Sequence, residues 1–388
     1  MAAYRRGTRM SAKRLLFVVN NPAFFLSHRV ALATAAQAEG YDVHVATMDG
    51  PAVARIQALG MVHHPIPMSR SGKRPLQELG TLWALYRLFR RLKPDLVHLV
   101  TIKPVLYGGI AARLARVPGM VAAISGLGYI FMAEGWLARP VRSVVVRLYR
   151  LALGHRNSRV IFQNRNDRDV LERLGAVRPG QVEMIRGSGV DLTQFRATPA
   201  PPTPPVVALM VARLLRDKGV DEFVAAATLL RQQGLQVVLR LAGGIDPGNP
   251  TSVSAETLQA WQQAGTVELL GECEDVASLY AQAHIAVLPS YREGLPKSLI
   301  EAAACGRAVV TTDVPGCRDA IEPGQTGLLV PARDAVALAA AIARLAVDDG
   351  LRERMGQAAR ELAEREFSLQ DVCRRHLDIY ASLLAQAG

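Results

Sequence analysis

The sequence predicts an α/β protein of two Rossmann-like parallel-sheet domains joined by a short linker. Three observations carry this. The 388 residues exceed one ordinary domain and suit two of roughly 150–200 residues each. The segment TPAPPTPP, Thr198 to Pro205, divides the chain almost evenly, and its prolines can continue neither a helix nor a central strand. On both sides of it, short apolar runs alternate with helical patterns, the rhythm of βαβ units. The expected organisation is a first domain over residues 12–197, a linker over 198–205, a second domain over 206–365 and a closing helical segment over 366–388.

In the first half, RLLFVVN reads as a strand buried on both faces, because its apolar run is continuous rather than alternating. A loop and the helical SHRVALATAAQAEG come next, ending at Gly40, and YDVHVATM is the second strand. PDLVHLVT, MVAAISG and RVIFQN then each precede a helical pattern. The second half repeats the scheme with PVVALMVA, QVVLRLAGG, TVELLG, HIAVLPS and RAVVTTD. The final helix, SLQDVCRRHLDIYASLLAQ, can pack back across the domain junction.

Composition narrows the class. Half the residues are hydrophobic, enough for two cores. The four cysteines, Cys273, Cys305, Cys317 and Cys373, have no metal-ligand spacing and suit a reducing cytoplasm without disulfides. The basic N-terminus resembles the start of a signal peptide, but the apolar LLFVV behind it is too short. No segment reaches the ~18 uninterrupted apolar residues of a membrane span. Charge is divided unevenly. Residues 1–200 hold 29 Lys and Arg against 11 Asp and Glu, a balance of +18, whereas residues 201–388 carry −6. The basic half therefore points to an anionic partner such as a membrane surface, a phosphate-bearing acceptor or nucleic acid, with a merely solvated basic face as the plain alternative.

In open parallel sheets, ligands bind beyond the carboxyl ends of the strands. No strand here is followed by G-x-G-x-x-G, and GLGYIF has only its first pair, so a nicotinamide dehydrogenase is disfavoured. After VVALMVA, the loop RLLRDKG places Arg213, Arg216 and Lys218 just before a helix that begins near Val220. Cations beside a helix N-terminus suit a diphosphate; surface residues of no special role are the alternative. HIAVLP leads in the same way into SYREGL, with Pro296 at the first helical position and Gly306 as the stop. Free amides near Gly294, Leu295 and Lys297 would face an anion. Glu301 lies about 7.5 Å along the axis from Pro296 at ~1.5 Å per residue. Glu293 and Glu301 could thus accept hydroxyl hydrogens at both ends of a nucleotide sugar. The competing reading is a solvent-facing loop acid plus a helix acid in an i,i+4 pair. It is disfavoured because Glu301 has apolar neighbours and Lys297 is not expected to be oriented to pair with it.

This stretch resembles the E-x7-E motif of the family 4 retaining nucleotide-sugar glycosyltransferases, enzymes of the GT-B fold. Glu293 and Glu301 match its two acids, EAAACGRAVVTTD is similar to the family's segment from the second acid onward, and ARLLRDKG resembles its diphosphate-binding segment. GSGVDLTQF, LAGGIDPGNP and VPGCRDAI also fit, so the resemblance covers nearly the whole chain. It implies that Arg213 and Lys218 hold the leaving diphosphate, and that Glu293 holds the donor sugar with the amides of Gly294 and Leu295. It also implies that Glu301 binds the ribose and that the loop of Cys273 contacts the base through its backbone. The family needs no side-chain nucleophile, and GT-B enzymes generally work without metal. Asp167-Arg168-Asp169 accordingly reads as helix-start acids rather than a metal site. No cofactor is expected beyond the UDP-sugar co-substrate.

In the first half, NPAFFLSHRV comes directly after the first strand, so His28 and Arg29 would line the cleft between the domains, Arg29 meeting an acceptor phosphate. His28 is equally readable as a helix-start residue. Lys103, after PDLVHLVT, is a candidate for an acceptor or donor phosphate, and ISGLGYIF, Ile124 to Phe131, would supply a glycine-lined loop. RPLQELGTLWALYRLFRRLK and RPVRSVVVRLYRLALGHR read as basic amphipathic helices able to lie in an anionic membrane interface. Within the family the chain is similar to enzymes extending sugars on undecaprenyl diphosphate. That implies a UDP-N-acetylhexosamine donor, a lipid-diphosphate-linked glycan acceptor and a cytoplasmic, peripheral location on the inner face of the membrane. A UDP-N-acetylglucosamine 2-epimerase shares the two-domain fold but has no use for a basic membrane face. A non-catalytic nucleotide-binding regulator is the other alternative, against which the complete set of acids and cations speaks. Nucleic acid is not an expected partner, since the positive charge is not interleaved with an aromatic stacking platform.

Overall fold

The computed structural model describes residues 12–68, 75–127, 138–246 and 248–387. The first sheet contains β1 (Arg14–Val19), β2 (Asp42–Thr47), β3 (Val62–Pro65), β4 (Leu96–Val100), β5 (Gly119–Ile124), β6 (Ser158–Phe162) and β7 (Val182–Met184). They run parallel in the order β3-β2-β1-β4-β5-β6-β7. The second sheet contains β8 (Val206–Val211), β9 (Val237–Ala242), β10 (Glu268–Gly271), β11 (Ile285–Leu288), β12 (Ala308–Thr312) and β13 (Gly327–Val330). Its order is β10-β9-β8-β11-β12-β13, again parallel. Two parallel α/β sheets facing one another make this the GT-B architecture. All ten predicted apolar runs are strands. The three unpredicted strands, β3, β7 and β13, all lie at sheet edges; polar residues interrupt β3 and β7, and the apolar run of β13, Gly-Leu-Leu-Val, is only four residues long.

Both faces of the first sheet are covered, as parallel sheets require. The helices Pro75–Leu92, Gly109–Ala115 and Ala138–Leu153 close one face around Leu16, Val97 and Met120. The other face is closed by the helix Val30–Ala38 and by the last helix, Leu369–Ala385. Val372, Ile379, Tyr380 and Leu383 of that last helix join Phe17, Leu96 and Val121 in one core. Fully burying side chains of this size is worth ~1.5–3 kcal/mol each. The chain's final element therefore belongs to the first domain's core although it comes after the second domain in sequence. The crossing is pinned by Val190 N–H donating to Phe367 O (2.8 Å) and Leu369 N–H donating to Val190 O (3.0 Å).

Strand order reverses direction between β1 and β4 in the first sheet and between β8 and β11 in the second. These are the switch points at which open sheets part their loops and leave a crevice for ligand. His28 and Arg29 follow β1, Lys103 follows β4, Arg213 and Lys218 follow β8, and Glu293 follows β11. Topology thus delivers nearly every candidate residue to the same two places.

Candidate active site

In the second domain, the loops after β8 and β11 are held against each other. Gly219 has φ +76°, and a Cβ there would lie 2.1 Å from Pro289 O, so only glycine allows the approach. Tyr291 N–H donates to Asp217 O (2.9 Å), a second tie between the loops. The result is an ion pair between Lys218 Nζ and Glu293 Oε1, most of it shielded from solvent. The Ser290 hydroxyl donates to the same Glu293 oxygen at 2.7 Å. Glu293 N–H donates to Pro315 O (3.1 Å), and Gly316 lies so close that a Cβ there would be 2.4 Å from Glu293 O. Backbone and carboxylate of Glu293 are therefore both fixed.

The next helix is Lys297–Ala304, with Pro296 as its N-cap, one position earlier than expected, and Gly306 at φ +68° just beyond its end. Glu301 is buried, and desolvation raises its carboxyl above the usual range while Lys297 pulls it back. Lys297 Nζ stands 3.2 Å from Glu301 Oε1, which corrects the expectation that it would not be oriented to pair. The same Nζ donates to Ser27 O of the first domain at 3.2 Å, so one ammonium bridges the helix acid and the opposite wall of the cleft. The pairing is real, but neither acid is the solvent-facing residue of the competing reading. Leu295 buries its side chain beside Gly187, leaving only its backbone to meet a ligand. Arg213 is exposed and pairs with Asp246 at 2.7 Å. Cys273 is an exposed free thiol in the loop after β10, with Sγ 3.6 Å from Asp275 O.

From the first domain, His28 ends the helix Pro22–His28 rather than starting one. That helix begins with Asn21 accepting from Ala23 N (2.8 Å) and Phe24 N (3.3 Å), an N-cap with proline in the first turn. The His28 ring stacks on Phe24 with centroids 4.0 Å apart, and its Nδ1 meets Ser27 Oγ at 2.7 Å. Its pKa is lowered to about 3, first by burial and then by the nearby cations Arg29, Lys297 and Lys218. The ring is thus neutral and stands across the cleft from the second domain's lysines.

Arg29 does not line the cleft. It is 3% exposed and turned beneath it, among Cys373, Tyr380, His98 and His376. Its segment's position directly after the first strand misplaces it because the chain bends at this residue, between the helices Pro22–His28 and Val30–Ala38. Burial lowers its pKa to about 10. Lys103 pairs with Glu78 of the helix Pro75–Leu92 at 2.7 Å, and Thr101 just before it has φ +74°. Of the glycine-lined loop, Ser125 and Gly126 meet the second domain at Gly294, while Gly128 to Phe131 lie outside the described residues.

Sequence reasoning missed one constellation. The two acids of Asp167-Arg168-Asp169 part company: Asp169 pairs with Arg168 at 2.6 Å, whereas Asp167 pairs with Arg292 of the second domain at 2.7 Å. Asn164, which caps the helix Arg165–Arg173, donates to Gly294 O at 2.8 Å. The signal in the sequence is an arginine beside Glu293 and a polar Gln-Asn pair ending β6, but nothing local says that they meet.

Comparison with known proteins places the chain among glycosyltransferases. Residues 14–164 match the family described as Glycosyl transferase 4-like, and residues 192–362 match Glycosyl transferases group 1. The chain is 29% identical over 380 residues to the N,N'-diacetylbacillosaminyl-diphospho-undecaprenol alpha-1,3-N-acetylgalactosaminyltransferase of Campylobacter jejuni, covering 95% of this chain and 98% of that one. It is 25% identical to the capsular polysaccharide biosynthesis glycosyltransferase CapM of Staphylococcus aureus, covering 89% and 91%. Its fold matches that of HepE from Anabaena, solved in complex with UDP, with a TM-score of 0.73 at 18% identity over 95% of this chain and 100% of that one. With one match running from β1 through β6 and the other from β8 through β13, the chain belongs to the family 4 glycosyltransferases of the GT-B fold.

Proposed function

We propose that this glycosyltransferase moves an N-acetylhexosamine, with retention, from a UDP-sugar to a glycan carried on a lipid diphosphate, in the assembly of a bacterial surface polysaccharide or glycoprotein glycan. The observation that carries the donor reading is the Lys218–Glu293 pair at the second sheet's switch point. One ammonium there can neutralise charge developing on a departing diphosphate, and one carboxylate beside it can accept hydroxyl hydrogens from the sugar. The amides of Gly294 and Leu295 donate to no acceptor among the described residues, so they are available to the same ligand. Glu301 is assigned to the ribose, Arg213 to the diphosphate, and the backbone around Cys273 to the base. His28, neutral and facing Lys218 and Lys297, and Lys103 at the mouth of β4 are assigned to the acceptor side. No metal or other cofactor is assigned.

Lipid acceptor and membrane contact are supported by the first domain's surface. On the helix Pro75–Leu92, Leu79, Trp83, Arg87 and Arg91 are exposed and recur every four residues, so they form one stripe. Leu79 is 62% and Trp83 59% exposed, although both are large and apolar. Val144, Arg147 and Leu151 repeat the arrangement on the helix Ala138–Leu153. Among the described residues no helix is long and apolar enough to cross a membrane. Peripheral binding to the anionic inner face fits both facts. The relative from Campylobacter jejuni bears a name that specifies an undecaprenol-diphosphate acceptor and an N-acetylgalactosamine, and the HepE structure holds UDP.

The test is a thermal-shift panel of UDP-, GDP- and ADP-sugars on the wild type and on Glu301→Ala. A shift with UDP-N-acetylhexosamines that the substitution abolishes is the expected result. A shift confined to GDP- or ADP-sugars overturns the UDP assignment, and silence across the panel overturns the donor site.

A further inference from the structure

Glu293 is held by two domains at once. Its carboxylate contacts belong to the second domain, through Lys218 and Ser290. The residues on either side of it are fastened to the first. Arg292 Nη2 lies 2.7 Å from Asp167 Oδ1, and Asp167 is 0% exposed. Asn164 uses both hydrogens of its amide, one on Gly294 O (2.8 Å) and one on Asp167 Oδ2 (2.9 Å). Its own Oδ1 accepts from Asp167 N (2.8 Å), so the acid and the amide form a closed unit at the start of a helix. Gly294 presses directly on first-domain backbone, and a Cβ there would be 2.3 Å from Ser125 O.

We infer that Asp167 and Asn164 are positioning residues, a clamp that sets the donor-sugar acid Glu293 by fixing Arg292 and Gly294 to the first domain. The inference rests on the assignment of Glu293 to the donor sugar. The physical case is the asymmetry of burial. Asp167 is enclosed and Arg292 is the cation paired with it, so separating the domains breaks that pair and the Asn164–Gly294 bond together, while the Asn164–Asp167 bonds stay within the first domain. Asn164 and Asp167 sit on β6's end and a capped helix, so their positions do not drift with the loop they hold. The clamp joins domain closure to the geometry of one carboxylate, whereas the residues assigned to the nucleotide all lie in the second domain. Binding of the nucleotide and turnover should therefore respond differently when it is cut.

The experiment uses the full chain and the UDP-sugar selected by the thermal-shift panel, with UDP release measured at saturating donor and UDP affinity measured by calorimetry. Asp167→Asn and Arg292→Gln are each expected to lower kcat at least tenfold while the Kd for UDP stays within threefold. Because they cut one bond, the double variant is expected to be no slower than the slower single variant. It also leaves no unpaired buried charge, which keeps the test valid if Asp167→Asn or Arg292→Gln alone fails to fold. Arg292 Nε is buried without an acceptor, so the pair rests on a single contact. Arg292→Lys, which preserves one charged contact, is expected to recover most of kcat. Unchanged kcat in the folded variants, a Kd for UDP that rises in step with the loss of kcat, or losses that multiply in the double variant would each overturn the clamp. Glu293→Gln is the control for the underlying assignment: if it keeps full turnover, the donor-site reading fails, whatever the clamp variants do.

Discussion

Lys218 and Glu293 meet across the switch point of the second sheet, each delivered by a different strand and held by backbone ties between the two loops. On the proposed donor reading, the pair places opposite charges where a diphosphate and a sugar hydroxyl would be bound side by side. If Lys218 acts on charge that develops as the diphosphate leaves, its loss should fall on kcat. Lys218→Met is expected to lower kcat by ~10²–10³, the range seen when one such stabilising donor is removed. Lys218→Arg should restore part of it. Initial rates of UDP release over a range of donor concentrations check this. A rise in KM with kcat unchanged would assign Lys218 to ground-state binding instead.

A second prediction concerns Glu301 and its partner. Burial raises the Glu301 carboxyl and Lys297 opposes that rise. A carboxyl raised on folding binds more protons folded than unfolded, so its stabilising contribution is present at low pH and lost as pH rises through the folded value. Lys297→Met removes the opposition and enlarges this loss. The melting temperature of the variant should therefore lie further below wild type at pH 8 than at pH 5. An equal deficit at both pH values would mean that Lys297 acts through its bond to Ser27 O and not through Glu301.

The histidines act in the opposite direction. His376 is enclosed beside Arg29 and His98, and burial followed by the Arg29 charge lowers its pKa to about 3. His28 is lowered to about 3 and His98 well below its ordinary value. Unfolded, such rings take up protons near pH 6.5, so stability present above that value is lost as pH falls toward the folded pKa. Each contributes up to about 1.4 kcal/mol per pH unit across this window. His376→Phe should flatten the decline of unfolding free energy between pH 6 and pH 4 by roughly that slope. Urea melts at three pH values measure it, and an unchanged slope would show that the ring is not neutral in the fold.

The sequence is legible where one strand or one loop decides the outcome. Every strand buried on both faces shows as an apolar run, and the loops after β8 and β11 carry their chemistry in consecutive residues. It fails where a decision needs two distant segments. The edge strands β3, β7 and β13 have partners on one side only; β3 and β7 have no apolar pattern of their own, and the apolar run of β13 is four residues long. Arg29 has the composition of a cleft residue, yet the last helix, some 340 residues later, closes over it. Asp167 has the local pattern of a helix-start acid, and its helix does begin there, but its ionic partner lies in the other domain. Lys297 is misread for a simpler reason: its i,i+4 spacing from Glu301 on a helix is in plain view, and the pair forms.

The remaining prediction takes the stripe of Leu79, Trp83, Arg87 and Arg91 as a membrane-facing surface. Leu79 and Trp83 are mostly exposed, so replacing them with serine removes little packing and should leave the melting temperature nearly unchanged. In water the wild-type side chains gain nothing from their exposure; in a bilayer interface each would bury apolar area at ~25 cal/mol per Å². A loss of about 100 Å² of such burial corresponds to ~2.5 kcal/mol, or more than tenfold in partitioning. Leu79→Ser with Trp83→Ser should therefore weaken sedimentation with vesicles of phosphatidylglycerol and phosphatidylethanolamine by at least tenfold, at any salt concentration. Arg87→Gln with Arg91→Gln should weaken it at low salt and have little effect at high salt, where screening already removes the attraction. The two pairs separate the apolar from the electrostatic contribution on one helix. If neither pair changes sedimentation while the melting temperature holds, this face is not the one that meets the membrane, and the basic charge of the first domain serves the acceptor's diphosphate alone.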